Sequence, residues 1–359
     1  MGGGYLSLYL LLTRSFGITG NPKQLHKRQI YSVLTSTGFR GLPYLCTMKT
    51  LLLALFLLAG RPDTLNVMFW NLENFFDYRN DSTSVSDADF SPRGSRHWTK
   101  KRFYAKCNAV AKGILWASAR EGAVPDVIGL AEIENAFVLR RLIQATVLRK
   151  LDYKIVHFDS PDRRGIDVAL LYRGLKPLDS RPAHLFNADS TIMPTRDILV
   201  ATFIGQNGDT VAFLVNHHPS KFGGAAASEA RRNIAVERLR QLADSLQTLG
   251  IEKIIAMGDF NDTPGNPVYH IVEPTLWNKA EQFHKKGHGT IKFAGKWELI
   301  DMFFVSEPIK NAEMEILDIP FLQTQDKAST GTKPLRTYSG PRYLGGVSDH
   351  CPIWLKIIR

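Results

Sequence analysis

The chain has 359 residues, 44 % hydrophobic and 22 % charged, with a formal net charge of +11. This composition suits a folded protein with a sizeable core and excludes the collagen-like, disulfide-scaffold and highly charged disordered classes. The charge is uneven. Residues 1–60 hold six basic residues (Arg14, Lys23, Lys27, Arg28, Arg40, Lys49) and no acid, and removing them leaves 39 basic against 34 acidic residues, a net of +5. A mildly basic body admits a polyanionic substrate without demanding one.

The first segment with a pattern is MKTLLLALFLLAG, Met48–Gly60. A Lys follows the Met, an apolar run extends from Leu51 to Ala59, and a small-residue pair closes it, as in a secretory signal. The run is too short to span a bilayer, which takes roughly 20 residues. The alternative is a buried core helix. On the signal reading Met48 is the start, residues 1–47 are a non-native or unstructured extension, and the mature protein is periplasmic or extracellular. It then keeps two cysteines, Cys107 and Cys351, so one disulfide is arithmetically possible.

From residue 64 onward apolar runs alternate with helical periodicity. TLNVMFWNLENFFD (64–77) reads as a strand and 78–97 as a polar surface loop. Over 98–119, Phe103, Cys107, Val110, Ile114 and Leu115 recur at helical spacing. PDVIGLAEIEN (125–135) is a strand and 136–148 a helix. YKIVHF and DVALLYR are strands joined by the turn DSPDRRGI, and DILVATFI and TVAFLVNHH form a hairpin around GQNGD. Glu229–Leu249 is a helix with Ser228 as N-cap and Gly250 at its end. KIIAMGDFND, WELIDMFFVS and DHCPIWLKI complete nine or ten strands against three or four helices. Several neighbouring strands lack an intervening helix, which disfavours an all-parallel sheet. An α+β sandwich of two mixed sheets with helices outside fits better, in a single domain over 64–359.

Polar residues collect where these strands end. Asn71 and Glu73 follow NVMFW, two apart and so on one face of an extended chain. Glu132 follows VIGLA, His217 follows VAFLVN, and Asp259 and Asn261 follow IIAM across Gly258, again two apart and so on one side of an extended chain. Asp301 lies in WELIDMFFV, and Asp349-His350 lead into the last strand. Each motif alone also fits a polar strand end, and for Glu73 and Glu134 the two readings weigh equally. Together they form an oxygen-rich set suited to a hard cation, Mg²⁺ or Mn²⁺. There is no HExxH, CxxC, G-x-S-x-G or P-loop pattern. Metal-assisted hydrolysis remains, with a carboxylate activating water and a His–Asp pair at the reaction centre.

The order WNLE, AEIE, NHH, GDFND, LIDMFFVS, SDHCP resembles the endonuclease/exonuclease/phosphatase superfamily, over about 65–357. The resemblance implies a four-layer αββα sandwich and a metal-dependent phosphoesterase. It implies Glu132 as the principal metal ligand with Asn71 beside it, and Glu73 and Asp349 in the metal region. Asp259 would activate the water and Asn261 orient it. His350 would contact the scissile phosphate, with Asp301 fixing its tautomer, and His217 would stabilise developing charge. For substrate contacts, Lys221, Arg231, Arg336 and Tyr338 are candidates: a lysine beyond NHH, an arginine early in the following helix, and an Arg/Tyr segment before SDH that could stack on bases. Each also reads as ordinary surface or packing. The expected substrate is nucleic acid, with a nucleotide, sugar phosphate or lipid headgroup as the alternative and a non-catalytic binding protein as the remote one. The expected state is a monomer with no obligate protein partner and no stable membrane span.

Overall fold

A computed structural model describes residues 64–358, apart from 81–83, 206–207, 222–223 and 274. The extension over 1–47 and the signal segment over 48–60 lie outside the described residues.

Twelve strands form two six-stranded sheets. They are β1 (Thr64–Phe75), β2 (Val127–Ile133), β3 (Lys154–His157), β4 (Asp167–Tyr172), β5 (Lys176–Ala183), β6 (Ile198–Ile204), β7 (Thr210–His217), β8 (Lys253–Asp259), β9 (Leu276–Asn278), β10 (Asp301–Ser306), β11 (Glu313–Ile316) and β12 (Ile353–Ile358). One sheet has the order β11-β12-β1-β2-β4-β3, the other β5-β6-β7-β8-β10-β9. Each is antiparallel except for one pair, β1 with β2 and β7 with β8. A parallel pair needs a crossover, and a helix lies in each: α2 (Lys100–Glu121) between β1 and β2, α4 (Ala225–Thr248) between β7 and β8.

Side-chain alternation sets the layers. Leu65, Val67 and Phe69 of β1 share an apolar core with Phe213, Val215, Ile255 and Met257 of the other sheet. Gly129 of β2 lets the sheets close: a Cβ there would lie 2.8 Å from Met257 Sδ. The opposite face of β1 carries Trp70, whose ring lies against Gly113 of α2. On α4, Ala235, Val236, Leu239, Leu242, Ala243 and Leu246 make an apolar stripe in the core, at the three- and four-residue spacing of a packed helix. This is the four-layer sandwich.

Local details depart from the sequence reading. The loop 78–97 contains α1 (Val85–Asp89), capped by Ser84. The helix over 136–148 stops as α3 (Ala136–Gln144), and a 3₁₀ turn follows over Val147–Lys150. The N-cap of helix α4 lies four residues before the expected one: Gly224 takes that place, and Ser228 is buried inside the helix, accepting from Arg232 Nη1. β12 begins only at Ile353, and a two-stranded hairpin, Ile291–Phe293 with Lys296–Glu298, takes the start of WELIDMFFVS. Cys107 and Cys351 are both buried and free. No helix of the described residues is long and apolar enough to cross a membrane.

Candidate active site

At one end of the sandwich the apolar inner face gives way to polar side chains. Asn71 continues the inward series of Val67 and Phe69, and Asp259 that of Ile255 and Met257. Across neighbouring strands His217 pairs in register with Asp259, and Asp259 with Asp301. Simple alternation thus aims Asn71, His217, Asp259 and Asp301 between the sheets. Asn71 Nδ2 donates to Asp259 Oδ2 at 3.0 Å, joining the two sheets.

Glu132 needs a further device. Val127, Gly129 and Ala131 face inward, so in a regular strand Glu132 would point out to the helices. The pairing with β4 slips between Ala131 and Ile133, and Glu132 adopts φ +61°. This bulge re-aims the carboxylate. Oε2 accepts from the Asn74 N–H at 2.7 Å and from Arg164 Nη2 at 3.2 Å. Oε1 lies 3.9 Å from His217 Nε2. Burial pushes the Glu132 carboxyl up, but Arg164, the Asn74 N–H, His350 and Arg196 outweigh it and leave it below the usual range. Glu73, Asn74 and Asn261 also have left-handed backbones, at φ +44°, +48° and +50°. Four such residues lie at the strand ends of one site, a pattern of stored strain that functional sites show.

These turns correct two expectations. Glu73 does not share the face of Asn71. The left-handed backbone swings its carboxylate onto Arg336 Nε and Nη2, both at 2.9 Å, and onto the Thr337 N–H at 2.7 Å. Arg336 Nη2 also meets Asp349 Oδ2 at 3.1 Å, so Glu73 joins the site through that arginine. Burial and the Asp349 charge push Glu73 up to about 7. Asn261 is likewise not on an extension of β8: its N–H caps Asp259 Oδ1 at 2.9 Å and its Nδ2 donates to the His218 carbonyl at 2.9 Å.

His350 Nδ1 lies 2.8 Å from Asp301 Oδ2, and its Nε2 lies 3.8 Å from Asp259 Oδ2. The residue is pinned from three sides. Its N–H donates to Ser348 Oγ, Ser348 donates to the Asn71 carbonyl, and the His350 carbonyl accepts from the Trp70 indole. Burial disfavours its charge, yet Asp301 and Asp259 outweigh that and hold the imidazole well above its usual range. His217 is the converse. Burial, with Arg196 and Arg164 beside it, drives it well below the usual range, so it is neutral. Burial, against His350 and with Asp301, raises Asp259 to about 7. A cationic imidazole, a neutral imidazole and a carboxyl poised near neutrality stand together. Such an array can accept a proton from water and donate to an anionic oxygen.

The expected substrate residues divide. Arg336 is half-exposed beside Asp349. Lys221 is half-exposed, 3.8 Å from both Asp262 and Glu298, on the rim. Arg231 is exposed in the second turn of α4, while the neighbouring Arg232 is the one turned inward, onto Asp262 at 3.1 Å. Tyr338 is not a stacking platform: it is buried against Phe90, Trp98 and Tyr343, and its hydroxyl donates to the Arg96 carbonyl at 2.8 Å. The sequence reading missed Arg164, Asn74, Arg196 and Lys106. Lys106 is buried, with Nζ 2.6 Å from the Glu73 carbonyl and 2.8 Å from Thr337 Oγ1, and burial lowers it to about 8. Its polar side chain on the apolar face of α2 was the available signal.

A family model for the endonuclease/exonuclease/phosphatase family matches residues 66–359. The chain belongs to that family. Members are hydrolases of phosphoester bonds, as is this enzyme, and the family uses divalent metals. No curated protein matches in sequence. Among solved structures, truncated Caenorhabditis elegans TDP2 superposes with a TM-score of 0.53 at 15% identity, covering 84% of this chain and 99% of that one. The human nocturnin catalytic domain with bound sulfate gives 0.53 at 20%, covering 83% and 94%. A Bacteroides thetaiotaomicron mannosyl-6-phosphatase gives 0.51 at 16%, covering 82% and 100%. At these identities they share the fold. The residues present suit a divalent cation of the family: Glu132, Asn71 and Asp349 offer oxygen donors of the kind a hard cation prefers, and Glu132 Oε1 accepts no hydrogen bond among the described residues.

Proposed function

We propose that the protein is an exported, Mg²⁺-dependent phosphodiesterase that cleaves nucleic acid by direct attack of water, acting as a monomer. The observation that carries the chemistry is the hydrogen-bonded connection from Asn71 to Asp259 across the sheets, beside the Asp301–His350 pair. Glu132, with Asn71 and Asp349 near it, would hold the cation, which polarises the phosphoester and offsets its charge. Asp259 takes a proton from the attacking water as the new oxygen–phosphorus bond forms. Asn261 holds Asp259 and the His218 carbonyl in register, which keeps the water's position fixed. Cationic His350, oriented by Asp301, donates from Nε2 to a non-bridging oxygen as charge builds there. Neutral His217 donates a second hydrogen bond. The bond to the leaving oxygen then breaks, and that oxygen takes its proton from solvent.

Three half-exposed cations near the site, Arg164, Arg336 and Lys221, support a polyanionic substrate. The segment Met48–Gly60 supports export. A small phosphomonoester is the second reading, favoured by the burial of Tyr338, which removes one expected base-stacking surface. Supercoiled DNA incubated with the enzyme and Mg²⁺, beside p-nitrophenyl phosphate, decides between them. Nicking that chelation abolishes supports the nuclease. Turnover of the monoester with intact DNA would reject it.

A further inference from the structure

We propose that Arg164 is a substrate-binding residue, anchored on Glu132 and Asn74 through one nitrogen and offering the rest of its guanidinium to an anionic oxygen of the phosphoester. The inference deepens the reading above and rests on Glu132 as a metal ligand. One nitrogen, Nη2, makes both contacts, to Asn74 Oδ1 at 2.7 Å and Glu132 Oε2 at 3.2 Å. Among the described residues the other guanidinium nitrogens have no partner, and the side chain is 43% exposed. Glu132 Oε1 is the oxygen left for a cation, so Arg164 need not move when one binds. A guanidinium fork fixed next to a metal ligand suits a phosphate oxygen, because two of its N–H groups can serve one anion.

The loop carrying Arg164 is built rigidly. At its base Asp167 accepts from Ser160 Oγ at 2.5 Å and the Ser160 N–H at 2.9 Å, and pairs with His157 at 3.0 Å. At its tip Asp162 accepts from the Arg164 N–H at 2.9 Å and from Arg196 Nη1 at 3.0 Å. Both side chains of the Asp162–Arg196 pair are buried, and Arg196 continues to the His218 carbonyl at 2.7 Å. A buried ion pair is a poor device for stability alone, since desolvation offsets much of its attraction. Here it ties the Arg164 loop to the strand end that carries His217. The sequence signal was the basic pair before Gly165 in DSPDRRGI.

Calorimetric titration of the Mg²⁺-loaded enzyme with inorganic phosphate tests the proposal, with Mg²⁺ titrations of the metal-stripped proteins alongside. R164Q should weaken phosphate binding about 10- to 100-fold, the scale of a lost charge-assisted hydrogen bond, with Mg²⁺ affinity within about threefold, as for a partly exposed ion pair. R164K should recover part of the loss, since it restores charge but not the fork. Unchanged phosphate affinity in R164Q would overturn the proposal. So would equal losses of Mg²⁺ and phosphate, which would make Arg164 only a prop for Glu132. E132Q separates the two readings: wild-type Mg²⁺ affinity in E132Q would reject Glu132 as a ligand, whatever R164Q does.

Discussion

Asp301→Asn isolates the part played by the imidazole. Asp301 is 1% exposed and its Oδ2 lies 2.8 Å from His350 Nδ1. The substitution keeps shape and removes one charge. An amide nitrogen facing Nδ1 would donate to it, leaving a neutral ring with its one proton on Nε2, so Nε2 still donates but without the positive charge that Asp301 stabilises. Losing a buried charge-assisted hydrogen bond at the reaction centre is worth about 2–4 kcal/mol in the transition state, or roughly 30- to 1000-fold in kcat. The pH profile carries the sharper signature. Asp301 and Asp259 hold His350 well above its usual range against burial. The wild type therefore keeps its cation through neutral pH and loses it only as pH rises through that elevated range. In D301N the alkaline limb moves to lower pH. Steady-state assays with a chromogenic phosphodiester across pH, at saturating Mg²⁺, measure both effects. D301N with kcat within about threefold of wild type and an unmoved alkaline limb would refute the pairing.

Other outcomes follow from the same geometry. Asp259 accepts a proton only when ionised, and burial raises it to about 7; activity should fall as pH drops through that region, and higher Mg²⁺ should move the limb to lower pH because a cation bound nearby favours the ionised carboxylate, read from pH profiles at several Mg²⁺ concentrations. Gly258→Ala places a Cβ 2.3 Å from the Asn216 carbonyl oxygen, where backbone cannot yield; the strand next to Asp259 should shift at a cost of about 1–3 kcal/mol, seen as a lower midpoint in urea unfolding. Tyr338→Phe removes the hydroxyl that donates to the Arg96 carbonyl and meets the Arg102 side chain; a stability loss of about 1 kcal/mol with unchanged KM is expected, and a raised KM would restore Tyr338 as a substrate contact. Export with cleavage after the apolar run should give a mature N-terminus near Arg61, which intact-mass measurement checks.

The inner strands were legible because burial imposes a pattern. VMFW, VIGL, VAFLV and IIAM are continuous apolar runs, as strands covered on both faces must be. β5 was not legible, because KPLDSRPA carries two prolines and mostly exposed side chains, the composition of an edge strand that need not bury anything. In the site, Asn71, His217, Asp259 and Asp301 were legible as polar residues at the ends of apolar strands, and His350 from its place before β12. Glu132 stood out as a strand-end acid and took its ligand role from the resemblance, although parity alone would have pointed it outward; only the bulge brings it in. Glu73 shows the opposite failure, since a two-residue spacing promises a shared face only while the backbone stays extended. Arg164 and Arg196 lie outside the motifs, in loops whose meeting depends on long-range packing.

The most direct test of the central claim is hydrolysis of bis(p-nitrophenyl) phosphate by the chain from Arg61 onward, measured after chelation, after Mg²⁺ is restored, and in D259N. The account predicts no turnover without metal, recovery with Mg²⁺, and a loss of at least about 100-fold in D259N, the scale of general-base catalysis. Metal-independent turnover, or wild-type rates in D259N, would contradict it.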